Sequence, residues 1–122
     1  MPYVRVRHVP LNPCNDREGV ARFVNALPQI VAEALTCSDP DGSLTPQDVE
    51  VGVEEYGPMD ISDDYHLQVM VDANDFPSRR ADLQQRTQRI ADQIAAVIIG
   101  PPTRFYVWVR LMPAAFVEGQ TR

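Results

Sequence analysis

The 122-residue chain contains no lysine, and all eleven of its basic residues are arginine. This absence excludes a lysine Schiff base and a Walker-type phosphate loop, since both need the lysine amine. Only two cysteines occur, Cys14 and Cys37, and they flank a predicted helix of about 20 residues. The ends of such a helix lie about 30 Å apart, whereas a disulfide needs α-carbons within about 7 Å. We therefore expect two free thiols.

Long apolar runs are also missing. No stretch approaches the roughly 18 apolar residues that a membrane helix needs, and arginines within the first ten residues interrupt any signal-peptide core. Seventeen acidic residues against eleven arginines give a net charge of −6, which repels phosphate backbones and anionic lipids. These features predict one domain over residues 1–122, located in the cytoplasm, with neither nucleic acid nor membrane as a partner.

The first half of the chain, about residues 1–58, has the pattern strand, helix, strand. Apolar residues alternate with polar ones from Tyr3 to Val9, and apolar residues then follow helical spacing from Val20 to Ala34. Asn15 or Asp16 can cap this helix. Alternation resumes at 49–53 in a second strand.

The second half, about residues 64–118, repeats that order. Alternation at 67–71 is followed by a helix that Pro77 opens and Gly100 stops, and a fourth strand covers 105–111. Two β-α-β units with right-handed crossovers predict an α/β fold. The tandem repeat should form a four-stranded mixed sheet with two helices on one face.

The other face of this sheet has no predicted element to cover it. It mixes charged residues with large amphipathic side chains of the kind that are enriched at protein interfaces. We expect copies of the chain to bury this face, and a solvated face on a monomer is the alternative. Its residues are Tyr3, Arg5, Arg7, Glu50, Glu54, His66, Met70, Tyr106, Trp108 and Arg110.

Pro2 is the first residue that could take part in catalysis. Removal of Met1 would expose a rigid secondary amine at the start of a core strand. An ordinary α-amino group titrates at about 7.7 to 8.0 and nearby cations lower that value, so the amine would serve as a general base near neutral pH. The alternative is that Met-Pro occurs here by chance.

Arginines should lie beside Pro2 if a pseudo-twofold axis relates the two halves. The start of the first strand then meets the loop 73–78, Arg79 and Arg80 in the first turn of the second helix, and Arg110 near the end of the fourth strand. Arginines at a helix start can bind carboxylates. Alternatively, Arg79 and Arg80 form a solvated helix start that pairs with Asp82 or Asp75 and contributes little to stability, since cations there oppose the helix dipole.

Metal and cofactor sites are not predicted. His8 and His66 lie on different strands without acidic residues at ligand spacing, which is typical of structural histidines. We expect neither a metal nor a cofactor.

The N-terminal proline on a β-α-β repeat resembles the tautomerase superfamily, which includes MIF-like proteins. The segments SRRADLQQRTQRIAD (78–92) and YVWVRLMPAAFVE (106–118) are similar to the cis-3-chloroacrylic acid dehalogenase group. The long loop of the first half, with Asp64 and Tyr65 opening the third strand, is similar to 5-carboxymethyl-2-hydroxymuconate isomerase.

The resemblance implies roles for individual residues. Pro2 matches the catalytic amine, Arg79 matches a carboxylate-binding arginine, and Glu118 matches the acid that activates water in the dehalogenase. Other positions depart from the dehalogenase pattern: Phe76 stands at its second arginine, Trp108 stands at its aromatic hydroxyl, and the first helix has no histidine.

The leading hypothesis is a proline-dependent tautomerase acting on a small unsaturated 2-oxo or 2-hydroxy carboxylic acid. Pro2 would move the proton, and Arg79 and Arg80 would hold the carboxylate and stabilise the developing enolate charge. Arg110 would also bind the substrate, and Trp108 would form a wall of the pocket. One alternative is a hydratase or hydrolytic dehalogenase that uses Glu118, and another is a non-catalytic trimeric binding protein. The resemblance also implies a homotrimer, and both catalytic hypotheses require removal of Met1.

Overall fold

Four strands and three helices make up the part of the chain that the computed structural model describes, which is residues 2–9, 17–57, 59–60, 65–98, 103–115 and 117–121. The predicted caps Asn15 and Asp16, together with Cys14, lie outside these residues. Cys37 is buried and forms no disulfide. In chain order the elements are β1 (Tyr3–His8), α1 (Arg17–Leu35), a 3₁₀ turn (Pro46–Asp48), β2 (Glu50–Glu55), β3 (Leu67–Asn74), α2 (Pro77–Ala81), α3 (Leu83–Val97) and β4 (Phe105–Met112).

The strands form one mixed sheet in the order β2-β1-β3-β4. β1 pairs in parallel with β2, and β3 pairs in parallel with β4. The two β-α-β units meet at the antiparallel pair of β1 and β3, where Tyr3 lies opposite Asp72. This arrangement confirms the predicted mixed sheet and its pairing.

The hydrophobic core lies between one face of the sheet and the helices. Burial alternates along β1 and β3, as period-two side chains require. Val4 and Val6 of β1 and Val69 and Val71 of β3 are fully buried, and they pack with Leu27 of α1 and with other apolar side chains of the helices. Burial of this apolar surface is the main driving force of folding. No described helix has both the length and the apolar character that a membrane span requires.

The opposite face of the sheet is covered by none of the described elements. Trp108 is 57% exposed, Met112 is 46% exposed and Tyr3 is 39% exposed there. The prediction of an uncovered face with large amphipathic side chains is therefore confirmed for the described residues.

The second predicted helix is two helices, because the helical backbone is interrupted at Asp82. This residue has φ −127° and ψ 33°, which ends α2 before α3 begins at Leu83. Aspartate disfavours helix interiors, since its side chain competes for local hydrogen bonds. Here its carboxylate accepts a 2.6 Å hydrogen bond from Nε of Arg86, one turn further along.

Arg86 also links the two halves of the chain. Its Nη1 donates to the carbonyl oxygens of Ala34, at 3.0 Å, and Thr36, at 2.7 Å. The last carbonyls of a helix have no intrahelical partner, and positive charge is favourable at that end. Arg86 on α3 therefore caps the C-terminus of α1.

We predict that Arg86→Ala lowers the free energy of unfolding by about 2 kcal/mol, because charge-assisted hydrogen bonds of this kind contribute about 1.5 to 3 kcal/mol. Urea unfolding followed by circular dichroism measures the change. Arg89→Ala is the matched control, since Arg89 lies exposed on the same helix, and it should change stability by no more than about 0.5 kcal/mol. Equal effects of the two substitutions would refute the capping role.

Candidate active site

Pro2 lies inside the sheet rather than at a loose end. It is buried, and its carbonyl oxygen accepts a 3.1 Å hydrogen bond from the backbone N–H of Glu50. The next residue, Tyr3, pairs with Glu50 on β2 and with Asp72 on β3. Pro2 therefore lies between the beginning of β2 and the end of β3.

Two of the predicted arginines lie at this edge, each in an ion pair with an aspartate. Arg110 makes two hydrogen bonds to Asp72, of 2.7 and 2.9 Å, and Nε of Arg80 donates to Asp75 at 2.8 Å. Hydrogen bonding to its aspartate raises the pKa of each guanidinium above the ordinary value. Both arginines remain accessible, with side chains 45% and 61% exposed for Arg110 and Arg80. Exposed pairs of this kind contribute little to stability, so an incoming carboxylate can replace the aspartate.

Arg79 points in the opposite direction, into the protein, and only 1% of it is exposed. Its Nε donates to the carbonyl oxygen of Leu35 at 2.8 Å, Nη1 to that of Asn74 at 3.0 Å, and Nη2 to that of Gly42 at 3.3 Å. The guanidinium carbon also lies 5.0 Å from the ring centre of Phe76. Burial lowers the pKa of Arg79 below its ordinary value, and the nearby Cys37 thiol opposes that shift.

The expectation of a solvated helix start therefore holds for Arg80, which pairs with Asp75, but it is wrong for Arg79. A buried guanidinium with three carbonyl partners contributes to stability, whatever the direction of the helix dipole. Its role in binding a substrate carboxylate stays a prediction, and in this structure its donors are directed to the protein's own backbone.

The loop of residues 36–45 contacts the start of α2. Asp39 Oδ2 accepts hydrogen bonds from the backbone N–H of Ser78, at 3.0 Å, and from its hydroxyl, at 2.5 Å. These bonds to Ser78 lower the pKa of the Asp39 carboxyl below its ordinary value of 3.8. Gly42 is packed so closely against Cys37 that a Cβ at this position would collide with the cysteine sulfur. The loop is thus attached to the start of α2.

Trp108 and Glu118 are the other predicted site residues. Trp108 pairs with Met70, which in turn pairs with Arg5. It therefore lies three residues further along the sheet than Pro2, or about 10 Å, and on the uncovered face. Glu118 is exposed in the segment that follows β4.

The described residues contain no group of three or more His, Cys, Asp or Glu side chains that could hold a metal ion. His8 is buried with Nδ1 2.7 Å from the carbonyl oxygen of Val9, and Nδ1 of His66 accepts a 2.9 Å hydrogen bond from the backbone N–H of Arg104. Both histidines therefore have local structural partners.

Sequence reasoning named Asp75 as a possible partner of Arg80, but it missed Asp72 as the partner of Arg110 and the link between Asp39 and Ser78. The Asp72–Arg110 pair could have been found, because strand registers place these two residues side by side once β3 and β4 are aligned. The Asp39–Ser78 contact had no such signal, since it joins a loop to a helix 39 positions away.

No protein-family model and no curated protein matches the sequence. Solved structures do match it. F6 fused 4-OT, described as an asymmetric trimer, is 16% identical over 98% of this chain and 94% of its own, with a TM-score of 0.66. N1, a member of the cis-3-chloroacrylic acid dehalogenase family, is 14% identical over 91% and 75%, with a TM-score of 0.65. MIF2 of Leishmania major is 20% identical over 98% and 95%, with a TM-score of 0.57.

The chain shares the fold of these matched structures, which are members of the tautomerase superfamily. At such low identities the likeness concerns the fold, and it confirms the fold that the sequence resemblance implied. In the structure, Pro2, Arg80 and Arg110 lie towards one end of the sheet, and Arg79 is directed inward from α2. Trp108 lies on the same uncovered face as Arg110, two residues earlier in β4.

We predict a pH-dependent loss of stability in Asp39→Asn. The folded-state pKa of Asp39 lies below 3.8, so its contribution is complete above that pH and is lost as the pH falls through the folded-state value. The difference in unfolding free energy between wild type and variant should therefore shrink between about pH 5 and pH 2. Urea titrations at several pH values measure it.

Asp41→Asn is the control for removal of one charge from the same loop. Asp41 has φ 63°, a left-handed conformation that asparagine also tolerates. A wild-type advantage over Asp39→Asn that stays constant down to about pH 2 would contradict the assignment.

Proposed function

We propose that the protein is a proline-dependent tautomerase of small unsaturated 2-oxo or 2-hydroxy carboxylic acids. The observation that carries this proposal is the position of Pro2, buried at the head of an interior strand, with two exposed guanidinium groups at the same edge of the sheet. The tautomerase fold of the chain supports it, since the matched structures include enzymes described as 4-OT, a dehalogenase family member and a decarboxylase.

The proposed reaction is ketonisation of an enol acid. After removal of Met1, the Pro2 amine takes the proton of the enol hydroxyl, breaking its O–H bond, and returns a proton to carbon, forming a C–H bond. Arg80 exchanges Asp75 for the substrate carboxylate, and Arg110 adds positive potential that stabilises the developing enolate. No cofactor takes part in this proton transfer.

The alternatives from the sequence stay predictions. Hydration or dehalogenation would require Glu118 to deliver water near Pro2, and Glu118 lies in the exposed segment after β4. A non-catalytic binding protein would require nothing of the Pro2 amine. An intact mass that retains Met1 in the native host would favour this last alternative, because an acylated proline nitrogen is not basic.

We predict that Pro2→Ala lowers kcat/KM for a 2-hydroxydienoate by about 100-fold or more, because positioned acid–base catalysis contributes about 10² to 10⁴ in rate. Loss of the dienol absorbance measures ketonisation. Pro28→Ala, inside α1, controls for replacement of a proline elsewhere and should retain activity. An unchanged rate in Pro2→Ala would exclude the mechanism.

A chemical probe tests the amine independently of turnover. One of the matched structures is described as Pt0534 inactivated by 2-oxo-3-pentynoate. If the Pro2 amine of this protein is free and nucleophilic, the same compound should add covalently to the N-terminal peptide, as mass spectrometry would show. Labelling elsewhere in the chain, or none, would count against a reactive proline.

The uncovered sheet face supports self-association as a trimer. Trp108 is 57% exposed on this face, and exposed aromatic residues on a contiguous surface are typical of interfaces. Three of the matched fused 4-OT structures are described as trimers. We propose that three copies of this chain close around an axis with these faces inward.

We predict a particle of about 41 kDa, three times the chain mass of 13.7 kDa. Trp108→Glu should dissociate it, since the substitution would bury a charge in the interface. Sedimentation equilibrium at micromolar concentration measures both states. Arg89→Glu, a charge change on the helical side of the sheet, should leave the assembly intact, and a wild-type monomer would defeat the proposal.

A further inference from the structure

Arg79 is a buried cation, and among the described residues no carboxylate forms an ion pair with its guanidinium. Its three hydrogen bonds go to the backbone carbonyls of Leu35, Asn74 and Gly42, which belong to three different segments. Burying a charge is costly unless its hydrogen-bonding groups are satisfied. The planar guanidinium meets that requirement because its donors point in divergent directions, as a single ammonium group could not do.

Two of these bonds go to chain segments that connect to the two neighbours of Pro2 in the sheet. Asn74 is the last residue of β3, two positions after Asp72, which pairs with Tyr3 at the start of β1. Gly42 lies in the loop that continues through the 3₁₀ turn to Glu50, whose N–H binds the Pro2 carbonyl. Arg79 thus bonds to the chain segments that lead into both neighbours of Pro2.

The loop has other attachments that do not involve Arg79. Asp39 binds Ser78, and the Thr36 hydroxyl donates to the Leu44 carbonyl at 3.3 Å and accepts from its N–H at 3.1 Å. Several hydrogen bonds therefore hold the loop in place. Arg79 is distinct among them because the same side chain also binds the end of β3.

We propose that Arg79 is a positioning residue that sets the place of Pro2 between β2 and β3, and that Arg80 rather than Arg79 binds the substrate carboxylate. The inference rests on the proposed function for its kinetic consequences, and its structural consequence is independent of activity. A displacement of about 1 Å at a reacting group can cost about 100-fold in rate.

The kinetic experiment compares Arg79→Gln, Arg86→Gln and Arg80→Ala on an enol acid and on its uncharged ester. Arg86 is the matched control, because it also binds carbonyls at the C-terminus of α1 but makes no bond to Asn74 or Gly42. Concentrations of folded protein are equalised by near-ultraviolet circular dichroism. Arg79→Gln should lower kcat by about 10- to 100-fold on acid and ester alike, with KM changed less than about threefold.

The controls should behave differently. Arg86→Gln should lower stability and leave kcat of the folded protein within about twofold of wild type, and Arg80→Ala should lose about tenfold or more in kcat/KM on the acid alone. A loss in Arg79→Gln confined to the acid would overturn the proposal, since it would make Arg79 a substrate ligand. Equal losses of kcat in Arg79→Gln and Arg86→Gln would overturn it too, since they would show a general structural effect.

Hydrogen exchange tests positioning even in protein that proves inactive. The N–H groups of Glu50, bonded to Pro2, and Asp75, bonded to Met112, report the two sides of the site. Relative to core amides of β3, their protection should fall about tenfold or more in Arg79→Gln and remain in Arg86→Gln. Unchanged relative protection in Arg79→Gln would refute the inference. If the wild type proves inactive but Arg79→Gln still loses protection at these two amides, only the proposed function is refuted.

Arg79→Lys covers the case in which Arg79→Gln fails to fold. It keeps the positive charge but replaces the planar fork, whose two terminal nitrogens bind the carbonyls of Asn74 and Gly42, with a single ammonium. The same local loss of protection and the same uniform fall in kcat are expected, at smaller size. Wild-type kinetics and exchange in this variant would show that charge alone suffices, which would contradict positioning through the forked hydrogen bonds.

Discussion

The pairing of β1 with a strand on each side is the constraint on which the rest of the molecule depends. β1 joins β2 of its own half in parallel and β3 of the other half in antiparallel orientation. Chain termini are ordinarily loose and solvated. Because the first strand in sequence is an interior strand, Pro2 is instead held by backbone hydrogen bonding and buried. Our proposal of a catalytic proline rests on that setting.

Because all basic residues of the chain are arginine, the cationic contacts between its separate segments are made by guanidinium groups. Arg79 and Arg86 cap the same end of α1 from the second half of the chain, and Arg110 makes a two-bond pair with Asp72 across neighbouring strands. Each of these contacts uses the fixed fork of the guanidinium to join separate segments at defined angles. In this acidic protein of net charge −6, the buried and partly buried Arg79 and Arg86 hold the fold together, whereas in our proposal the exposed Arg80 and Arg110 recognise an anion.

The matched structures share this fold at low sequence identity. N1 and the F6 fused 4-OT share only 14% and 16% of their residues with this chain, yet match it with TM-scores of 0.65 and 0.66. In this chain, the periodicity of apolar positions and the order of the elements were enough to predict the strands and helices. Function depends on individual side chains carried by such a fold, and the likeness in fold does not extend to them.

The sequence by itself determined the four strands, the repeated β-α-β order, the uncovered face and the edge at which Pro2 meets Arg80 and Arg110. These features follow from local periodicity and from the handedness of crossovers, both of which are readable along the chain. Only the tertiary structure decided that the second helix breaks at Asp82 and that Arg79 turns inward while its neighbour Arg80 stays exposed. The partners of Arg79 are backbone carbonyls up to 44 positions away, and every residue type carries such a carbonyl, so no pattern of side chains could have revealed them.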